Sequence, residues 1–241
     1  KKILLITLSI ILISCNQDNN LHVTSPDENI NLEFKIENGF GYYTVKKNNS
    51  IIINPSKIGI EFKDGNDISK NLKITNSKKI SINENWTPLY GEEEKILNKY
   101  NELEISLTTE NINYDIIFRV YDDGIAFKYI VPEQTEFLSY DIIDEKTEFN
   151  LSSKDSALWI PAFSYRRYEF LYAFSSVDDI SKDYFSKNVE EISYDTLGID
   201  AAHTPLTIKK SDGSFISIHE ANLIDFSSIT LAPRGEGKLE V

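Results

Sequence analysis

Apolar and polar residues alternate through most of this chain. Ile30, Leu32, Phe34 and Ile36 are separated by Asn31, Glu33 and Lys35, the period-two pattern of a strand with one face buried and one in solvent. Asn38-Gly39 follows, a dipeptide that accepts positive φ and so predicts a tight hairpin turn. Tyr43 and Val45 continue the return strand, and Asn48-Asn49 predicts the next turn. Short apolar segments come at Ile51 to Ile53, Ile58-Ile60-Phe62, Leu72-Ile74 and Ile80-Ile82, punctuated by Asp64-Gly65. Alternation is clean again in Leu103-Ile105-Leu107 and in Ile112-Tyr114-Ile116-Phe118-Val120. Asp122-Asp123-Gly124 then turns the chain back through Ile125-Phe127-Tyr129. Many short strands with turn signals at modest spacing predict an all-β sandwich or barrel.

From Pro161 to Gly198 the alternation fades. Tyrosines and phenylalanines are mixed there with Arg166-Arg167 and several aspartates, and the stretch reads as a long, partly structured excursion on the sandwich surface. The best helical candidate lies between Ser175 and Glu191. After Gly198 the pattern resumes: Leu206 and Ile208 run into Ser211-Asp212-Gly213-Ser214, and Phe215 to Ile218 return, ending at His219-Glu220.

The ends add a second kind of information. Lys1-Lys2 precede an apolar run from Ile3 to Ile13 broken only by Thr7 and Ser9, the proportions of a secretory signal. A membrane-spanning helix needs roughly 20 apolar residues, more than this run supplies. Leu12-Ile13-Ser14-Cys15 matches a bacterial lipoprotein cleavage box, with Cys15 as the expected lipid attachment point. Residues 1–15 are therefore read as signal, 16–24 as a polar tether that includes His22, and 25–241 as one β domain, exported and lipid-anchored to a bacterial membrane. Cys15 is the only cysteine, which leaves no internal disulfide or cysteine-based metal cluster. The chain contains no methionine and ends on Leu239-Glu240-Val241 without a closing helix, so both ends read as trimmed. A formal charge of −13 repels phosphate backbones and argues against nucleic-acid binding.

Candidate chemistry is sparse. Glycine-rich phosphate loops and nucleophile elbows are absent, and His22, His203 and His219 never fall at a zinc-ligand spacing. Glu92-Glu93-Glu94 reads as a solvated loop after Gly91. Arg166-Arg167 among tyrosines suits a domain contact better than a sugar or base stack. No catalytic residue can be picked out. Glu220 stands apart because it directly follows a short buried strand, at a strand end where sandwich loops gather and ligands bind.

Several strings then fall together. Trp86-Thr87-Pro88-Leu89-Tyr90-Gly91-Glu92, followed by Asn98-Lys99-Tyr100-Asn101-Glu102-Leu103, resembles the N-terminal domain of glycoside hydrolase family 97. Arg119-Val120-Tyr121-Asp122-Asp123-Gly124-Ile125-Ala126-Phe127, Trp159-Ile160-Pro161, Thr204-Pro205-Leu206 and Ile218-His219-Glu220-Ala221 agree in order and spacing. The resemblance runs from about Ser25 to the end. It implies a mutarotase-like β super-sandwich ahead of a catalytic (β/α)8 barrel that lies outside this chain. It also implies an exported α-glycosidase, mostly of α-glucosidase type with α-galactosidase members, acting on oligosaccharides. The resemblance implies a calcium ion held mainly by barrel glutamates and by one glutamate of this domain, which falls on Glu220. One sandwich carboxylate alone holds calcium poorly, and a glycosidase needs two carboxyl groups fixed across the scissile bond. The fragment by itself is therefore expected to be inactive, with the barrel of the same polypeptide as its partner. A sandwich that is itself a mutarotase would need an acid and a base lining a sugar pocket, and no two-histidine arrangement on adjacent strands suggests one. The rival expectations are a free-standing glycan-binding lipoprotein and a purely structural interaction domain.

Overall fold

The computed structural model describes residues 20–63, 65–135, 139–162, 169–190, 198–224 and 226–241. The first half holds β1 (Asn20–Thr24), β2 (Ile30–Glu37), β3 (Phe40–Lys47), β4 (Ser50–Ile58), β5 (Ile60–Phe62), β6 (Lys73–Trp86), β7 (Ile96–Thr108), β8 (Asn113–Val120) and β9 (Ile125–Ile130). The second holds β10 (Ile142–Glu145), β11 (Glu148–Asn150), β12 (Ser156–Trp159), β13 (Ala173–Ser176), helix α1 (Lys182–Asn188), β14 (Ala202–His203), β15 (Leu206–Lys209), β16 (Phe215–Ile218), β17 (Thr230–Gly235) and β18 (Lys238–Glu240). An eight-stranded sheet runs in the order β1-β2-β3-β4-β11-β18-β17-β14, and two four-stranded sheets run β6-β7-β8-β9 and β13-β12-β15-β16. A short β10-β5 pair completes the set. This is the all-β sandwich that the alternation predicts.

The alternation is realised residue by residue. Ile30, Leu32 and Phe34 of β2 are buried while Asn31, Glu33 and Lys35 keep partial exposure. Asn38 and Gly39 turn at φ of 53° and 81°, and Asn48 and Asn49 at 48° and 66°, the positive values that a two-residue hairpin requires. The inner face of β2-β3 meets that of β8-β9 through aromatic rings: Phe34 lies 6.0 Å and Tyr43 6.3 Å from Phe118, and Tyr43 lies 5.7 Å from Phe127. Buried tyrosines need a partner for the hydroxyl. Tyr43 donates to the Glu148 carbonyl at 2.7 Å and Tyr114 to the Ile68 carbonyl at 2.9 Å. On the other side of the domain, Trp159 packs 5.7 Å from Phe185 of α1 and donates through Nε1 to Ser175 Oγ at 3.0 Å.

Some elements depart from expectation. Asn20–Thr24, assigned above to a tether, is a strand paired along its length with β2, from Asn20 opposite Lys35 to Thr24 opposite Asn31. Leu21 is half-buried and Val23 buried between the polar Asn20, His22 and Thr24, a period-two signal only five residues long, and the Asn101 side-chain amide donates to the Thr24 carbonyl at 2.9 Å. Leu72-Ile74 and Ile80-Ile82 belong largely to one long strand, β6, which pairs with β7 from Lys73–Thr108 to Trp86–Ile96. Most of β6 is exposed, because it is the edge of its sheet and shows few apolar positions to count. The helical candidate between Ser175 and Glu191 holds α1, capped by the Ser181 hydroxyl, which accepts from the Tyr184 amide. Strand β13, which overlaps only the start of that stretch, was not foreseen; its inward residues are Ala173 and Ser175, too small to register as apolar. Strands β17 and β18 were also missed. They join through a turn in which Gly237 sits at φ 78°, and a Cβ there would meet the Ser152 carbonyl carbon at 2.5 Å.

Between β1 and β2 the chain is fastened by Asp27. Its Oδ1 accepts from the Ser25 hydroxyl at 2.5 Å and from the Asn29 amide at 3.1 Å. These bonds favour the charged form and hold its pKa at about 2, down from 3.8. A carboxyl whose folded value is depressed contributes stability above its unfolded value and loses it as pH falls through the folded one. The Asp27 signal in a carboxyl NMR titration is therefore expected at a midpoint near 2. Asp27→Asn should flatten the acid limb of the stability profile between about pH 4 and pH 2.

Candidate active-site carboxylate at a strand end

The β15-β16 hairpin presents Glu220. Asp212 Oδ1 accepts from the amide and hydroxyl of Ser214 at 2.9 and 2.6 Å, and Gly213 turns at φ 88°, which sets the register of Leu206 opposite Ile218. Ile218 is buried, and two residues later Glu220 leaves the strand half-buried. Its carboxylate joins two neighbouring segments. Oε1 accepts from the Ile229 amide at 2.9 Å and Oε2 from the Thr204 hydroxyl at 3.1 Å. Each carboxylate oxygen offers about two lone-pair sites, so each retains one for a further ligand.

A second carboxylate lies within electrostatic reach of Glu220 and carried no sequence signal. Glu145, at the end of β10, accepts from the Thr147 hydroxyl at 2.6 Å, and that hydroxyl lies 2.9 Å from Tyr129 Oη. Tyr129 Oη in turn accepts from the Gly59 amide at 3.0 Å. Burial pushes the Glu145 carboxyl above its ordinary value, the negative charges of Glu220 and Asp144 push it further, and the Thr147 bond opposes them. Hard oxygen donors and concentrated negative charge suit a hard cation. The set is incomplete, however: among the described residues, no three His, Cys, Asp or Glu side chains gather where they could hold a metal ion. The Glu220 carboxylate suits one oxygen ligand of a hard cation, and the described residues do not complete a shell around it.

His219 is exposed, with Nδ1 3.3 Å from the Glu220 carbonyl. His203 is in β14 and His22 in β1, where His22 lines a shallow cleft with Lys79, Ser81 and Glu102. Glu92 to Glu94 are exposed at the end of the β6-β7 hairpin, as the solvated-loop expectation has it. Cys15 and Arg166-Arg167 lie outside the described residues. No described helix is long and apolar enough to cross a membrane.

Two of the family-like strings meet each other. Arg119 Nε donates to Glu102 at 2.7 Å, and its guanidinium lies 4.6 Å from the Tyr100 ring centroid. Tyr100 packs 5.1 Å from Tyr121, and Asp122 accepts from the Asp27 amide at 2.9 Å. These contacts clamp the β1-β2 connection onto the β6-to-β9 sheet. The strings record architecture here.

The family model described as glycosyl-hydrolase 97 N-terminal matches residues 23–241. The chain belongs to the N-terminal domain family of glycoside hydrolase family 97. A family 97 enzyme from Pseudoalteromonas sp. strain K8, solved in complexes with panose and with acarbose, shares 31% identity and a TM-score of 0.80 over 91% of this chain and 31% of that one. The retaining alpha-galactosidase of Bacteroides thetaiotaomicron is 23% identical over 225 residues, which cover 90% of this chain and 31% of the relative. A probable retaining alpha-galactosidase of Streptomyces bingchenggensis is 24% identical over 120 residues, 49% of this chain and 18% of that protein. The family 97 domain thus spans at most about a third of these relatives. Its match begins inside β1, consistent with β1 as part of the folded body.

Proposed function

We propose that this family 97 domain is the non-catalytic N-terminal part of an exported α-glycosidase, of α-glucosidase type, that hydrolyses O-glycosidic bonds of oligosaccharides. The domain braces a catalytic (β/α)8 barrel of the same polypeptide and lends Glu220 to a calcium ion beside the substrate. The observation that carries this reading is the posture of Glu220: half-buried, held through both oxygens by Thr204 and Ile229, and still able to accept from a partner. Calcium bound there would supply fixed positive charge next to the reacting sugar. Glu220 would orient through its two hydrogen bonds, and Glu145 would add negative potential behind it. Export and lipid attachment at Cys15 rest on the leader pattern of residues 1–15.

The full-length polypeptide is expected to hydrolyse p-nitrophenyl α-glucoside faster than p-nitrophenyl α-galactoside. The chain from Leu21 to Val241 should turn over neither. A preference for the galactoside would reassign the specificity, and measurable turnover by the fragment would overturn the division of labour.

A further inference from the structure

On one side of the sandwich two sheets end in neighbouring edge strands. β1 closes the eight-stranded sheet and β6 closes the β6-β7-β8-β9 sheet. The two lie next to each other, with His22, Val23 and Thr24 of β1 lining one cleft together with Lys79, Ile80 and Ser81 of β6. This side is basic in an acidic chain. From Ile68 to Asn83 there are four lysines and no Asp or Glu, although acidic residues outnumber basic ones 38 to 25 in the whole sequence. Three of those lysines, Lys73, Lys78 and Lys79, stand exposed on β6. Among the described residues none of the three is in an ion pair, whereas Lys70 just before them holds Asp67 at 3.0 Å. Lysines on a free edge deter pairing with another strand, a role that needs no partner. Their place beside the start of the folded chain gives them a second one.

Only residues 16–19 separate Cys15, the proposed lipid attachment, from Asn20 at the start of β1. Five backbone steps span at most about 18 Å, so the edge at β1 is tied to within that distance of the lipid-bearing residue. We infer that the β1-β6 side of the sandwich faces the membrane and that Lys73, Lys78 and Lys79 bind the headgroups of anionic phospholipids there. The inference rests on the lipid attachment proposed above and adds the surface that meets the bilayer. An acyl anchor and a basic patch are two signals that together hold a protein firmly on a membrane. A body of formal charge −13 is repelled by an anionic leaflet unless it turns a basic side toward it. Each lysine near such a surface strengthens binding about fivefold, and salt screens the effect.

Acylation of lysine amines, read by mass spectrometry, tests this on the lipidated full-length protein. The protein is inserted either in phosphatidylcholine vesicles or in vesicles that also contain phosphatidylglycerol. Lys73, Lys78 and Lys79 are expected to react about fivefold more slowly on the anionic vesicles, and added salt should remove the difference. Lys128, exposed on β9 at the far edge of the same sheet, should react at the same rate on both. Equal rates for the three lysines on the two surfaces would overturn the inference, and so would a slowing shared by Lys128. The mass of the Cys15 peptide reads the anchor separately. An acyl-free Cys15 would overturn the anchor alone, and the same comparison with vesicles added to the soluble protein then decides the basic edge.

Discussion

Asp155→Ala is expected to cost about 3–5 kcal/mol of folding stability, the range for breaking a buried ion pair from one side. Asp155 is completely buried and its partner Lys210 nearly so. The carboxylate is well satisfied: Oδ2 accepts from Lys210 Nζ at 2.7 Å and from the Ser152 amide at 3.1 Å, and Oδ1 from the Ser211 amide at 3.0 Å. Lys210 Nζ also donates to the Ile52 carbonyl at 3.2 Å. One carboxylate therefore ties the β11-β12 loop to the β15-β16 turn, and its partner reaches across to β4. Removing it strands an ammonium group in the interior and leaves two amides without their acceptor. Urea unfolding of wild type, Asp155→Ala, Lys210→Met and the double variant would measure the coupling. The double variant should recover a large part of the loss, because an apolar side chain in place of the buried ammonium removes the uncompensated charge. A single-variant cost below about 1 kcal/mol, the level of an exposed pair, would mean that the ion pair is not closed to water.

The largest functional effect is expected at Glu220 in the full-length enzyme. Removing even a partner that only supports a metal ligand typically costs 10–100-fold in metal affinity or activity, and Glu220→Ala, which removes a proposed ligand itself, should lower kcat/KM by at least about that factor. Alanine removes two things at once: the negative charge, and the acceptor for Ile229 N and Thr204 Oγ1. Glu220→Gln separates them. The amide oxygen still accepts from Ile229, so the loop keeps its anchor while the charge is gone. A loss in the glutamine variant comparable to that in alanine assigns the effect to charge. A loss confined to alanine assigns it to loop position.

The segments that alternate strictly were legible from the sequence because one face is buried and the other less so: β2, β8 and the Leu103–Leu107 part of β7 follow that rule, and the Asn38-Gly39 and Asn48-Asn49 turns between strands take the positive φ their residues favour. What escaped has physical reasons. Strand β6 is an exposed edge, β13 buries only alanine and serine, and β1 shows just two apolar positions, Leu21 and Val23, over five residues. The candidate site was legible only in part. Glu220 could be singled out by its place after a buried strand, whereas Thr204 and Ile229 meet it through tertiary structure. Glu145 lies on a separate short strand, β10, paired with β5, and nothing in its local pattern distinguishes it from the many exposed carboxylates.

The central claim is that this domain contributes one charged ligand to a calcium site completed by the catalytic barrel. Calorimetric titration of calcium into the metal-free full-length protein, wild type against Glu220→Gln, tests it most directly. The account predicts one site whose dissociation constant rises by about 10–100-fold in the variant, with the fold intact by circular dichroism. An unchanged calcium isotherm in Glu220→Gln would contradict it.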